Sequence, residues 1–139
     1  MINSFNYYLN SGKAKKQTPN PEESSSLINK ALLRIKFTKA KMPDEETAQF
    51  VLEDAYEAAR EAAQSLMAKK GYKPYSHEAT VSFLKDFFSD RFSEDEITTL
   101  DRFRQLRNDS VYKATIVSVA DAKECISFAE KFVEKVKKL

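Results

Sequence analysis

Two glycines and four prolines in 139 residues leave this chain few places to turn sharply. Hairpins, sandwiches and barrels need such residues at most of their connections, so the scarcity points to helices. The capping chemistry agrees. Asn20-Pro21-Glu22-Glu23 offers an Asn N-cap, Pro at the first helical position and Glu at the third, opening a helix to about Ala40. Asp44, after Pro43, opens a long helix that ends at Lys69-Lys70-Gly71, where glycine supplies the left-handed stop. Ser76 caps a short helix through Phe88, and Ser93-Glu94-Asp95-Glu96 forms a capping box. Ser118 opens a last helix with a Lys-rich final turn.

Apolar periodicity gives these helices their faces. The long helix carries Val51, Ala55, Ala58, Ala62 and Leu66 at steps of three and four, flanked by Leu52, Ala59 and Ala63. Glu53, Glu57, Arg60, Glu61 and Gln64 mark its opposite side. The last helix repeats the pattern with Ile126, Ala129, Phe132, Val133 and Val136. The expected fold is all-α: an antiparallel four-helix bundle, up-and-down, with an extra N-terminal helix. Residues 1–18 read as an N-terminal arm with aromatics able to dock, and 19–139 as one bundle domain, long enough to bury roughly 68% of its unfolded surface.

The balance of charge is a formal +2, too small for strong nonspecific nucleic-acid binding, and no DNA specificity is evident. Any nucleic-acid role has to rest on a local patch. A single cysteine, Cys125, rules out an internal disulfide and suits a reducing compartment. With one Cys and one His, a Cys/His metal cluster is excluded, and no cofactor is expected. No apolar run approaches a membrane span, and no secretory signal is visible at the N-terminus. A cytoplasmic protein is the expectation.

Chemistry concentrates in Arg104-Gln-Leu-Arg107-Asn108-Asp-Ser-Val-Tyr112, on the helix from Ser93. Arg104, Arg107, Asn108 and Tyr112 fall within about two and a half turns and could engage phosphate or base edges. Ile97, Leu100, Phe103 and Leu106 form the core stripe, with Arg107 along or beside it. Asp101, Arg104, Asn108 and Tyr112 form a neighbouring polar stripe. Arg107 therefore wants an acidic partner, a subunit interface or an anionic ligand. Asn108-Asp109-Ser110 is a poor helix interior, where a kink or break would expose backbone donors to a phosphate, although a break there is equally an ordinary helix end. His77, at a helix start upstream, is more commonly structural than catalytic in such a place. Tyr72 and Tyr75 could stack on a base, although tyrosines more often cover a bundle end, and Lys69, Lys70 and Lys73 read as a solvated corner.

Two segments together resemble the HEPN domain (higher eukaryotes and prokaryotes nucleotide-binding). They are Ala55-Tyr-Glu-Ala-Ala-Arg-Glu-Ala-Ala63 running into Gly71–Ala79, and Leu106-Arg-Asn-Asp-Ser-Val-Tyr112 followed by the last helix. The first segment is most similar to archaeal members. The resemblance implies a homodimer whose polar motif lines an interface cleft that binds a nucleotide or RNA. It also implies a separate nucleotidyltransferase subunit as partner, in the manner of a toxin–antitoxin pair. Active family members carry Arg, four to six residues, then His, and cleave RNA without metal. Arg107 and Asn108 match the start of that motif, but Tyr112 stands where the His belongs, and a phenol is a poor base at neutral pH.

Weak or absent ribonuclease activity follows, with Arg104, Arg107, Asn108 and Tyr112 as ligand-binding residues. Two alternatives stay open. One is a degenerate metal-independent ribonuclease in which Arg107 and Tyr112 are catalytic. The other is an oligomerisation module with no ligand.

Overall fold

A computed structural model describes residues 2–139, and Met1 of the expected arm lies outside them. The order of elements is α1 (Phe5–Asn10), β1 (Ala14–Lys16), α2 (Pro21–Lys39), α3 (Ala48–Lys70), β2 (Tyr72–Pro74), α4 (His77–Phe87), α5 (Glu94–Lys113) and α6 (Val119–Lys137). The fold is the all-α bundle expected, with α3 at its centre in contact with α2, α4, α5 and α6. Val51, Leu52, Ala55, Ala58, Ala59, Ala62, Ala63 and Leu66 are all buried, as are Ala129, Phe132, Val133 and Val136 of α6. Alanine on α3 lets the neighbouring helices approach closely. Among the described residues, no helix is long and apolar enough to cross a membrane.

Helix ends follow the capping signals closely. The Asn20, Ser76, Ser93 and Ser118 side chains each accept a first-turn backbone N–H, and Ser93 with Glu96 completes the reciprocal box. Gly71 ends α3 at φ 91°, the left-handed conformation. A side chain there is impossible for a second reason, since an added Cβ would sit 2.7 Å from the Gln17 carbonyl oxygen. One boundary differs. Asp44 does not begin α3; its carboxylate instead accepts N–H bonds from Glu46 and Thr47, holding a tight turn before the helix starts at Ala48.

Residues 2–16 do more than drape over the bundle. Phe5 and Tyr8 of α1 are buried, with Phe5 edge-on to Tyr72, Phe83 and Phe87 at centroid distances of 5.3, 5.4 and 5.7 Å. The Phe5 N–H donates to Asp86 Oδ2 at 2.8 Å, and Ser82 Oγ donates to the Asn3 carbonyl at 2.7 Å. β1 pairs antiparallel with β2, Lys15 opposite Lys73. This two-stranded ribbon was not expected. It is three residues per strand, too short for alternation to reveal it.

The face of α3 read as polar also needs correcting at one position. Glu61 is 2% exposed. Its carboxylate accepts from Arg34 Nε at 2.9 Å and Nη2 at 3.2 Å, with Lys30 Nζ at 3.7 Å. The bidentate pair ties α2 to α3 and supplies the partner that a buried charge requires.

Candidate functional site at the junction of three helices

α5 runs from Glu94 to Lys113, so the helix does not break at Asn108–Ser110. Ser110 instead turns inward and is buried, its hydroxyl without a partner among the described residues. The helix stops at Ala114, a non-glycine residue at φ 52°.

This unbroken course divides the four motif residues. Arg104 is 9% exposed and fully engaged, its Nε donating to Asp101 Oδ1 at 2.6 Å and its Nη1 lying 3.8 Å from Glu78 Oε1. It is a buried cation paired by two carboxylates, rather than part of an open polar stripe. Arg107 is half-buried and donates to the Asn108 side-chain oxygen at 3.1 Å. Among the described residues no carboxylate forms an ion pair with it. Tyr112 is 76% exposed, in the last turn of α5. Helical spacing placed Tyr112 and Asn108 on one side, but the spacing does not say where the body of the protein ends. The single chain therefore does not bring Tyr112 into a cleft with Arg107.

His77 lies within electrostatic reach of these arginines. The first turn of α4 carries it back to α3, where Tyr56 Oη lies 3.0 Å from His77 Nδ1 and the rings stack at 22°. Burial, well ahead of neighbouring charges, pushes the Tyr56 phenol above its ordinary 10.0. The phenol keeps its proton, and Nδ1 is its one hydrogen-bond partner among the described residues, so we assign it as donor to Nδ1, with the ring proton of neutral His77 on Nε2. Burial first, then the guanidinium groups of Arg60 and Arg107, hold the His77 pKa below 6.5, so the ring is neutral at pH 7.

Arg60 stands one turn along α3 from Tyr56. It grips the Glu57 carboxylate with two donors and reaches Gln64 Oε1 at 2.6 Å. For Glu57, burial raises the pKa, but the Arg60 bonds and charge outweigh it and the net shift is downward. Tyr8 of the arm closes the far edge by donating to Glu78 Oε2 at 3.2 Å.

The cluster thus draws Tyr56 and Arg60 from α3, His77 from α4, and Arg104 and Arg107 from α5. Sequence reasoning found the arginines of α5 but left His77 apart, because thirty residues of chain separate it from Arg107. The nearest sequence signal was the segment from Ala55 to Ala79, which holds Tyr56, Arg60 and His77 together. Cys125, by contrast, is buried beneath α3 with its thiol pushed up to about 12 by burial, and is chemically quiet.

A bundle of this order, with a cationic polar cluster on the helix preceding the last, defines a class of small helical domains. The model of the HEPN domain family matches residues 13–139, and the chain belongs to that family. No curated protein matches it.

Proposed function

We propose that this chain binds a phosphate-bearing ligand, a nucleotide or RNA, at the α3–α4–α5 junction. Arg107 carries the reading. It is half-buried beside two other guanidinium groups, yet those two are matched by Glu57, Asp101 and Glu78 while Arg107 is matched by no acid. An unpaired guanidinium keeps several fork donors for an anion, and it is costly to hold in a half-buried place without one. Asn108 fixes its position, and membership of the HEPN family supports a nucleotide- or RNA-related role.

Replacing Arg107 with alanine is expected to weaken binding of AMP, or of a short single-stranded RNA, by about tenfold or more. That is the loss of a charged hydrogen bond of about 1.5–3 kcal/mol. The melting temperature should stay within about 3 °C, because no ion pair is broken. Titration calorimetry and thermal melting read the two separately. Unchanged binding with a collapsed melting temperature would overturn the assignment.

The same reading includes a homodimer. Val111, Tyr112 and Ile116, the last 90% exposed, leave apolar surface around the end of α5 that a second copy would cover. Covering it would also give Tyr112 a role in a shared cleft. Light scattering is expected to give twice 15.9 kDa at micromolar concentration. A mass of 15.9 kDa would refute the dimer.

A further inference from the structure

The imidazole of His77 is half committed. Nδ1 is taken by Tyr56, while Nε2 has no hydrogen-bond partner among the described residues. Its charged surroundings come from two other helices: Glu57 and Arg60 on α3, Arg104 and Arg107 on α5. On α4 itself, the adjacent Glu78 is turned to Arg104 and to Tyr8 of α1. Within this group Glu57 pairs with Arg60, and Asp101 and Glu78 pair with Arg104, so Arg107 is the guanidinium with no carboxylate in contact among the described residues.

Arg107 can pair directly with the single charge of a phosphodiester. A phosphomonoester brings a second negative charge near neutral pH. The one group in the cluster able to answer it by gaining a proton at that pH is His77. We propose that His77 contacts the ligand through Nε2 and takes up a proton when a phosphomonoester, the terminal phosphate of a nucleotide or of an RNA end, docks on Arg107. The inference rests on the junction being the phosphate site.

Tyr56 is the positioning residue. In the ligand-free protein its hydroxyl donates to Nδ1 and leaves Nε2–H to face the phosphate. When the added proton arrives on Nδ1 from solvent, the hydroxyl turns to accept instead. No covalent bond changes. The direction of the pH effect follows. The free ring titrates below 6.5, for burial and then Arg60 and Arg107 disfavour its charge. A docked dianion reverses that field and raises the pKa of the complex. The gain in affinity is therefore full below the free pKa and is lost as pH rises through that of the complex.

His77 is the chain's one histidine, so its ring signals in an NMR spectrum are unambiguous. Titrating the unmodified protein with and without saturating AMP is expected to show the His77 pKa about one unit or more higher in the complex. ApA, whose one phosphate is a diester, is expected to raise it less. His77→Gln is expected to weaken AMP binding at every pH, and least at about pH 8, where the imidazole of the complex has lost its added proton. The deficit should reach about tenfold at about pH 6, where the phosphate still carries much of its second charge and His77 holds the added proton. Tyr56→Phe is expected to shift the ring nitrogen signals of the free protein towards a mixture of tautomers. An unmoved His77 in a formed AMP complex overturns the proposal, and so does an equal shift with ApA. If neither AMP nor RNA binds at all, the phosphate reading falls and takes this one with it.

Discussion

Replacing Phe5 with alanine is expected to destabilise the protein by about 3–5 kcal/mol, the range for emptying a buried aromatic position. The residue lies sixteen positions before the start of α2, in a segment that looks dispensable from the sequence. Its ring nevertheless meets Tyr72, Phe83 and Phe87 edge-on, and its side chain is 2% exposed. The cavity would open between α1 and α4, where the stacked rings of Phe83 and Phe87 leave little room to collapse. A fall in melting temperature of roughly 10–20 °C is the corresponding readout. A loss below about 1 kcal/mol would mean that the arm contributes little to the fold, and that its contacts form and break freely.

The second large effect lies at Glu61. Arg34→Ala removes both fork donors from a carboxylate whose side chain is 3% exposed, and is expected to cost about 3 kcal/mol. The lower end of the range applies because Lys30 Nζ remains 3.7 Å away. Replacing Arg34 and Glu61 together by leucine should recover most of the loss, since a buried pair is worth little against apolar packing of similar volume. Chemical denaturation of the two variants beside the parent separates these outcomes. An Arg34→Ala protein as stable as the parent would show that Lys30 alone satisfies Glu61.

How legible the chain was depends on the range over which each signal acts. The caps at Asn20, Ser76, Ser93 and Ser118 bond to N–H groups three residues away, so local sequence contains the whole interaction. Gly71 is equally local. Phe5, Glu61 and His77 depend on partners 27 or more residues away, or across an element boundary, as with Phe5 and Asp86 or Arg34 and Glu61. Nothing in their own neighbourhood announces this. His77 shows the cost of that range. As an isolated residue it is an ordinary helix-start histidine, and only the packing of α4 against α3 and α5 gives it Tyr56 and the arginines. Arg104 is intermediate. Its Asp101 partner was visible three residues upstream, but Glu78 was not, and the second carboxylate completes its pairing in the buried interior.

The docking of the arm also sets an order of events during synthesis. Phe5 reaches Asp86, Ser82 reaches Asn3 and Tyr8 reaches Glu78, separations of 81, 79 and 70 residues. At a translation rate of about 5–20 residues per second, this segment waits roughly 4–16 s before its partners exist. During that wait Phe5 and Tyr8 are apolar groups on a nascent chain with nowhere native to go. Residues made before their partners are thus among the last to settle, and the folded junction around Glu78 and Arg104 gains its Tyr8 edge only when they do.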